Sequence, residues 1–281
     1  MPSSPIKVSF EFFPPNTEDK LEKLILTAKK IEELAPDFFS VTYGAGGTTQ
    51  ENTKRAAFQL LKHFNFPIAP HLSCVGSSKN DIKKLLNEYI AAGINHLVAV
   101  RGDLPSGMCD AGEFTYASDL ITFIRNETGR HFHIKIAVYP EFHPEAKTPA
   151  MDLNSLKHKV SQGINCAITQ YFFNSDAFFH FRDDCERLGI NTPIIPGIMP
   201  ISNWPKLVKF SRTCGTELPT WLCKRMDGLA GDANAIRDYG CEVVTKLCER
   251  LLAHGVKELH FYTLNQASLV LKICKNLGKE I

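Results

Sequence analysis

The sequence predicts an α/β fold: a single (β/α)8 barrel of the TIM type with an additional helix before the last strand. Three observations predict it. Eight short apolar runs alternate with stretches of helical periodicity along the 281 residues. No Gly- or Pro-rich linker interrupts the alternation, so residues 1–281 read as one domain. Hydrophobic residues make up 44% of the chain, enough for a substantial core, and one such barrel takes about 250 residues.

The elements follow in order. The first apolar run spans 6–13. Thr17 then offers an N-cap, and Glu18 and Asp19 place negative charge in the first turn, where it suits the helix dipole. Leu21, Leu24, Ile25 and Ala28 follow at helical spacing. A second run covers 38–43, and a helix follows at about 49–64. The third run, 68–74, leads to a helix whose Ile82, Leu85, Leu86, Tyr89 and Ile90 form a one-sided stripe closed by Gly93. Further strands are expected at 96–100, 133–139, 166–172, 194–198 and 258–262, with helices between them. The extra helix is expected at about 219–226, before a long one at 232–254. Gly44-Ala45-Gly46-Gly47 does not read G-x-G-x-x-G and has no acidic partner, which rejects an open dinucleotide-binding sheet.

Composition excludes several function classes. Lys plus Arg is 32 against 30 for Asp plus Glu, a net charge of +2 with no basic run, so no nucleic acid partner is expected. Nine cysteines are scattered without a Cys-x-x-Cys, which excludes a zinc ribbon and a dithiol motif and reads as reduced thiols in a cytoplasm. The start of the chain shows no secretory signal, and no apolar run approaches the roughly 18 residues of a membrane span. His131 and His133 share a strand face but lack further ligands, so no metal is expected. Phe172, Phe173, Phe178 and Phe179 read as packing residues, and Cys241 and Cys248 as buried small hydrophobes.

In such a barrel the chemistry sits where strands end at their C-terminal edge. Those positions hold Glu11, Thr42-Tyr43, His71, Arg101-Gly102-Asp103, Tyr139-Pro140-Glu141, Gln170, Tyr262 and Asn265. Each also has an ordinary reading. Glu11, between Phe10 and Phe12, is either an edge residue facing water or a buried acid; if buried, desolvation is expected to raise its pKa and keep it neutral. His71 is either a core histidine or a site residue. Arg101-Gly102-Asp103 is either a surface turn or a diphosphate cradle, where Gly allows close approach and Arg forks onto phosphate.

Several segments then carry a resemblance. They are Ser9-Phe10-Glu11-Phe12-Phe13-Pro14-Pro15, Ser40-Val41-Thr42-Tyr43-Gly44, Ala69-Pro70-His71-Leu72, Arg101-Gly102-Asp103-Leu104-Pro105 and Tyr116-Ala117-Ser118-Asp119-Leu120. Tyr139-Pro140-Glu141 with His143-Pro144-Glu145-Ala146, Ile168-Thr169-Gln170, and His260-Phe261-Tyr262-Thr263-Leu264-Asn265 complete the set. In this order, over nearly the whole chain, the sequence resembles the methylenetetrahydrofolate reductase family in its short bacterial form, without the C-terminal regulatory domain of the long eukaryotic form.

The resemblance implies a barrel with non-covalent FAD that takes hydride from NADH or NADPH, with a lean to NADH, and passes it to methylenetetrahydrofolate at the same flavin face. It implies Glu11 as the acid that protonates the folate nitrogen and Asp103 as the carboxylate beside flavin and pterin. Thr42 would adjoin Glu11, Gln170 would contact the pterin, and Phe210 would stack on both ligands. Flavin contacts would come from Thr42, Tyr43, His71, Arg101, Gly102, Asp103, Tyr116, Ala117, Tyr139, His143, Asp152 and Lys159. Where family members commonly carry Arg after the Tyr-Thr-Leu-Asn run, Gln266 stands here, so a contact to the folate tail would lose its charge. A homo-oligomer and a role in methionine synthesis are implied as well. Two other readings compete: another flavin-dependent barrel resembling proline dehydrogenase, and a non-catalytic flavin-binding protein.

Overall fold

Inward and outward positions alternate along β1 (Lys7–Phe12). Val8, Phe10 and Phe12 join the apolar layer beneath the helices, while the side chains of Ser9 and Glu11 reach His260 and His71 across the barrel interior. This is a computed structural model, and it describes residues 6–43, 49–102 and 112–279. The glycine-rich stretch at 44–47 and Asp103 lie outside those residues.

The other strands are β2 (Phe39–Val41), β3 (Ile68–Ser73), β4 (His96–Val100), β5 (His133–Val138), β6 (Cys166–Thr169), β7 (Ile194–Ile195), β8 (Gly197–Ile198) and β9 (Glu258–Tyr262). All pairs are parallel, in the order β7-β6-β5-β4-β3-β2-β1-β9-β8. The two ends of that order, β7 and β8, are consecutive pieces of chain on either side of Pro196. Eight expected strands are therefore nine. Proline has no N–H to give a ladder, and the chain changes partner at that point. The Pro193 carbonyl accepts from Ala167 N–H at 2.9 Å on the β6 side, and the Pro196 carbonyl accepts from His260 N–H at 3.0 Å on the β9 side. The wall thereby closes into a barrel.

Gly197 makes that closure possible. Its N–H donates to Thr169 Oγ1 at 2.9 Å, and the Tyr262 hydroxyl crosses it to donate to the Thr169 carbonyl at 2.7 Å. A Cβ at Gly197 would lie 2.1 Å from the Thr169 oxygen and 2.7 Å from the Tyr262 ring.

The sixth strand is shorter than the expected 166–172. Gln170 N–H still donates to the Val138 carbonyl, but Gln170 Oε1 takes the next N–H, that of Tyr171, and the ladder stops. Phe172 and Phe178 pack at 5.3 Å in the outer core, and Cys241 and Cys248 are buried there, as the sequence predicts.

Helices α1 (Glu18–Glu32), α2 (Thr49–His63), α3 (Lys79–Ala91), α4 (Ala117–Thr128), α5 (Pro149–Ser161) and α6 (Ser175–Arg187) link successive strands. Thr17 caps α1 through its hydroxyl, as expected. Between β8 and β9 the chain carries three helices, not two: α7 (Trp204–Cys214), α8 (Thr220–Asp227) and α9 (Ala233–Ala253). A last helix, α10 (Ser268–Asn276), follows β9. The start of α7 has a legible signal, Asn203 capping Lys206 N–H with Pro205 in the first turn. Among the described residues no helix is long and apolar enough to cross a membrane.

Candidate active site

A cavity of about 770 Å³ opens at the C-terminal edge of the strands, within the range of small-molecule and cofactor sites. Its lining includes Glu11, Thr42, Tyr43, His71, Arg101, Gly102, Ala117, Tyr139, His143, Lys159, Gln170 and Phe210. Twelve expected residues from nine different segments thus meet in one space. Three others stand apart from that lining. Tyr116 precedes α4 and is exposed, Asp152 accepts the His143 N–H at 2.8 Å, and Gln266 is exposed just after the last strand.

Glu11 lies at the floor, its side chain 12% exposed. Its Oε2 is 3.1 Å from His71 Nε2 and 3.6 Å from His260 Nε2, and it accepts from the Ser40 hydroxyl at 3.4 Å. Neither imidazole approaches along a good hydrogen-bond direction, although both buried Nε2 atoms face the same Glu11 oxygen. Burial alone would push the Glu11 carboxyl up. His71 and His260 outweigh it and bring the pKa down to about 2. The expectation of a neutral Glu11 is therefore corrected: desolvation by the neighbouring rings is present, but two histidines facing the same oxygen overcome it.

His260 is fully buried and shares a hydrogen bond with the Ser9 hydroxyl through Nδ1 at 2.8 Å. Burial lowers its pKa, against an opposing pull from Glu11. Ser9, Ser40 and His260 form the surroundings that sequence reasoning did not assign. Period-2 alternation offered a signal, since Ser9 lies on the Glu11 face of β1 and Ser40 is the register partner of Glu11 on β2.

The backbone holding Glu11 is clamped from the far end of the chain. Its carbonyl accepts the Thr263 hydroxyl at 2.6 Å, and Asn265 bonds Phe13 at both N–H (2.8 Å) and C=O (3.0 Å). Asn265, a strand-end polar residue in the sequence, spends its amide on this clamp, with φ at +55°.

Basic groups mark another part of the cavity. Arg101 follows β4 and pairs with Glu145 at 2.6 Å. Lys159, on α5, is buried enough that its pKa falls, against the pull of Asp152. His143 accepts Glu145 N–H at Nδ1, lies 4.5 Å from the Tyr139 ring, and has its pKa lowered by burial. Gly102 has φ +86°, and a Cβ there would lie 2.1 Å from Ser73 Oγ, so the turn admits only glycine. On another wall, Phe210 is half-exposed and stacked on Tyr171 at 5.9 Å and 12°. The Gln170 oxygen is engaged by Tyr171 N–H, which leaves its NH2 to donate to a ligand.

Known proteins resemble this chain in fold and in sequence. An uncharacterized protein from Clostridium thermocellum, described as binding two copies of 5-methyl-5,6,7,8-tetrahydrofolic acid, superimposes with a TM-score of 0.65 over 97% of this chain and 94% of its own, at 16% identity, which shows the barrel fold. The 5,10-methylenetetrahydrofolate reductase of Pectobacterium carotovorum subsp. carotovorum is 41% identical over 275 residues, 97% of this chain and 90% of that protein. Its counterpart from Escherichia coli (strain K12) is 40% identical over 273 residues, covering 97% and 91%. The model of the family described as methylenetetrahydrofolate reductase matches residues 2–278. With that match running almost end to end, the chain belongs to the methylenetetrahydrofolate reductase family.

Proposed function

We propose that the protein reduces methylenetetrahydrofolate to methyltetrahydrofolate with NADH or NADPH, through a non-covalent FAD that meets the two substrates in turn, in a route that feeds methionine synthesis. One observation supports this above the others: a buried carboxylate flanked by two histidines shares a single cavity with Arg101 and Lys159. The first group suits proton delivery, and the second suits a diphosphate.

The residues present fit FAD. Arg101, Lys159 and the glycine-only turn at Gly102 would hold its phosphates, and Tyr43, His71, Ala117, Tyr139 and His143 would bound the rest. When bound, the flavin supplies the hydride acceptor and donor that the protein lacks. Asp152 keeps the His143 backbone in place, and Tyr116 would cover the cofactor from outside the cavity. Asp103 keeps its proposed place as the negative charge beside the ring.

Glu11 is proposed to deliver the proton that opens the folate ring. It starts as a carboxylate, so it would first take up a proton from solvent and then pass that proton to the folate nitrogen, returning to the carboxylate beside His71 Nε2 at 3.1 Å. Gln170 would donate its NH2 to the pterin, Thr42 would adjoin Glu11, and Phe210 would stack on either ligand. Gln266 offers the folate tail only neutral hydrogen bonds, about half as strong as charge-assisted ones. Protein purified with its flavin should bleach anaerobically on adding NADH or NADPH and recover its colour on adding methylenetetrahydrofolate. Bleaching by a small amine but not by a nicotinamide would instead identify the amine-oxidising barrel, and no bleaching by either would identify a flavin-binding protein without catalysis.

A further inference from the structure

Two walls of the cavity meet at a seam outside the proposed chemistry. One wall is the segment between β5 and α5, which carries His143. The other is α7, which carries Phe210. Glu141 joins them: its Oε2 accepts the Glu217 N–H, just beyond α7, at 2.8 Å, while its Oε1 is buried with no hydrogen-bond partner. The surrounding contacts are close. Gly215 ends α7 with φ +71°, and a Cβ there would come within 2.5 Å of Pro144 Cγ. Thr216 donates its hydroxyl to the Tyr171 carbonyl at 3.2 Å. The Tyr171 hydroxyl bonds Ser211 at 2.9 Å, and its ring lies against Phe210.

We infer that Glu141 is a positioning residue: through the Glu217 N–H it fixes the C-terminal end of α7, and with it the ring of Phe210 that stacks on the substrate. This rests on the proposed role of Phe210 as the stacking ring.

The seam depends on the state of the carboxyl. The titratable groups facing Glu141 are the Glu217 carboxyl beyond α7 and the Tyr171 phenol after β6. Burial, reinforced by Glu217 and partly offset by the Glu217 N–H, pushes Glu141 up to about 7. Protonated, the group is neutral, and its buried oxygen carries no charge. Ionised, it places a half-buried charge opposite the Glu217 carboxylate, and desolvation with that repulsion outweighs the stronger hydrogen bond from the Glu217 N–H, so the seam as a whole is destabilised. Substrate affinity therefore falls as pH rises through about 7, while turnover of bound substrate does not follow the same profile.

The experiment uses the full FAD-loaded chain. KM and kcat for methylenetetrahydrofolate are measured from about pH 6 to about pH 9 for the wild type, Glu141→Gln and Glu141→Ala. Wild-type KM should rise about tenfold across that range, a size typical of coupling between two sites. Glu141→Gln keeps the acceptor and removes the charge, so its KM should stay at the low value throughout, whereas Glu141→Ala should be high at every pH. A second readout needs no substrate. The two tryptophans of the chain, Trp204 opening α7 and Trp221 in α8, lie on the two helices that Glu217 connects. Their emission should titrate with a midpoint near 7 in the wild type and not in Glu141→Gln. Parallel KM profiles for wild type and Glu141→Gln, or the same emission titration in both, overturn the inference. Absence of folate turnover in the wild type at any pH would count against the proposed function instead, and the emission titration would still decide the seam.

Discussion

Glu11 is an acid kept charged by its neighbours. A neutral acid would need only burial, but a carboxylate faced by two histidines is held ionised, and in the proposed mechanism it would take up a proton before passing it to the folate nitrogen. Glu11→Gln should leave flavin reduction by the nicotinamide nearly intact, because that hydride transfer requires no proton here. Folate reduction should fall by about 100- to 10,000-fold, the usual worth of general acid catalysis. Rapid-mixing absorbance of the two half-reactions separates these outcomes, and equal losses in both would make Glu11 a structural residue. The position of Glu11 was legible from the sequence, since it ends an apolar strand. Its charge state was not, because it is set by His71 on β3 together with His260 on β9, and only the closed barrel brings both to one oxygen.

At the scale of elements, the junction of β6, β8 and β9 leaves no room for a side chain on Gly197. Gly197→Ala would press a methyl group into the Thr169 carbonyl, which is backbone and cannot swing aside. A loss of about 1–3 kcal/mol or more is expected, as for an overpacked interior. A drop in thermal midpoint for Gly197→Ala, with little change for an exposed helical control such as Ser155→Ala, would be the signature; equal shifts would place the strain elsewhere. Most elements could be read from periodicity and caps. The division of the seventh strand could not, because Pro196 within an apolar run signals a broken ladder without saying which neighbour each half joins. Asn265 shows the reverse difficulty: its place at a strand end suggests a ligand contact, but local chain geometry turns it onto Phe13.

For the whole molecule, two buried carboxyls link stability to pH with opposite signs. Glu11 drops from an ordinary 4.5 to about 2, so its contribution is present above 4.5 and is lost as pH falls toward 2. Glu141 rises from 4.5 to about 7, so its contribution is complete below 4.5 and is lost as pH climbs to 7. Glu141→Gln should therefore gain on the wild type as the solution becomes alkaline. Urea unfolding at about pH 5 and about pH 8 tests this: the difference in midpoint between variant and wild type should move in favour of the variant at the higher pH. An unchanged difference would remove Glu141 from the linkage.

The closure of the wall at Pro196 also orders events during synthesis. β9 lies between β1 and β8 and begins only at Glu258, so a nascent chain emerging from the ribosome holds β1 as an open edge until about 250 residues after it have been made. An unpaired edge is a template for the wrong partner, and this one consists largely of Val8, Phe10 and Phe12 alternating with Ser9 and Glu11. Chaperone contact during translation would fall on that edge. The same late arrival brings His260 to Glu11 and Asn265 to Phe13, so the acid acquires its surroundings in the step that seals the barrel, and a truncated translation product would carry Glu11 without them.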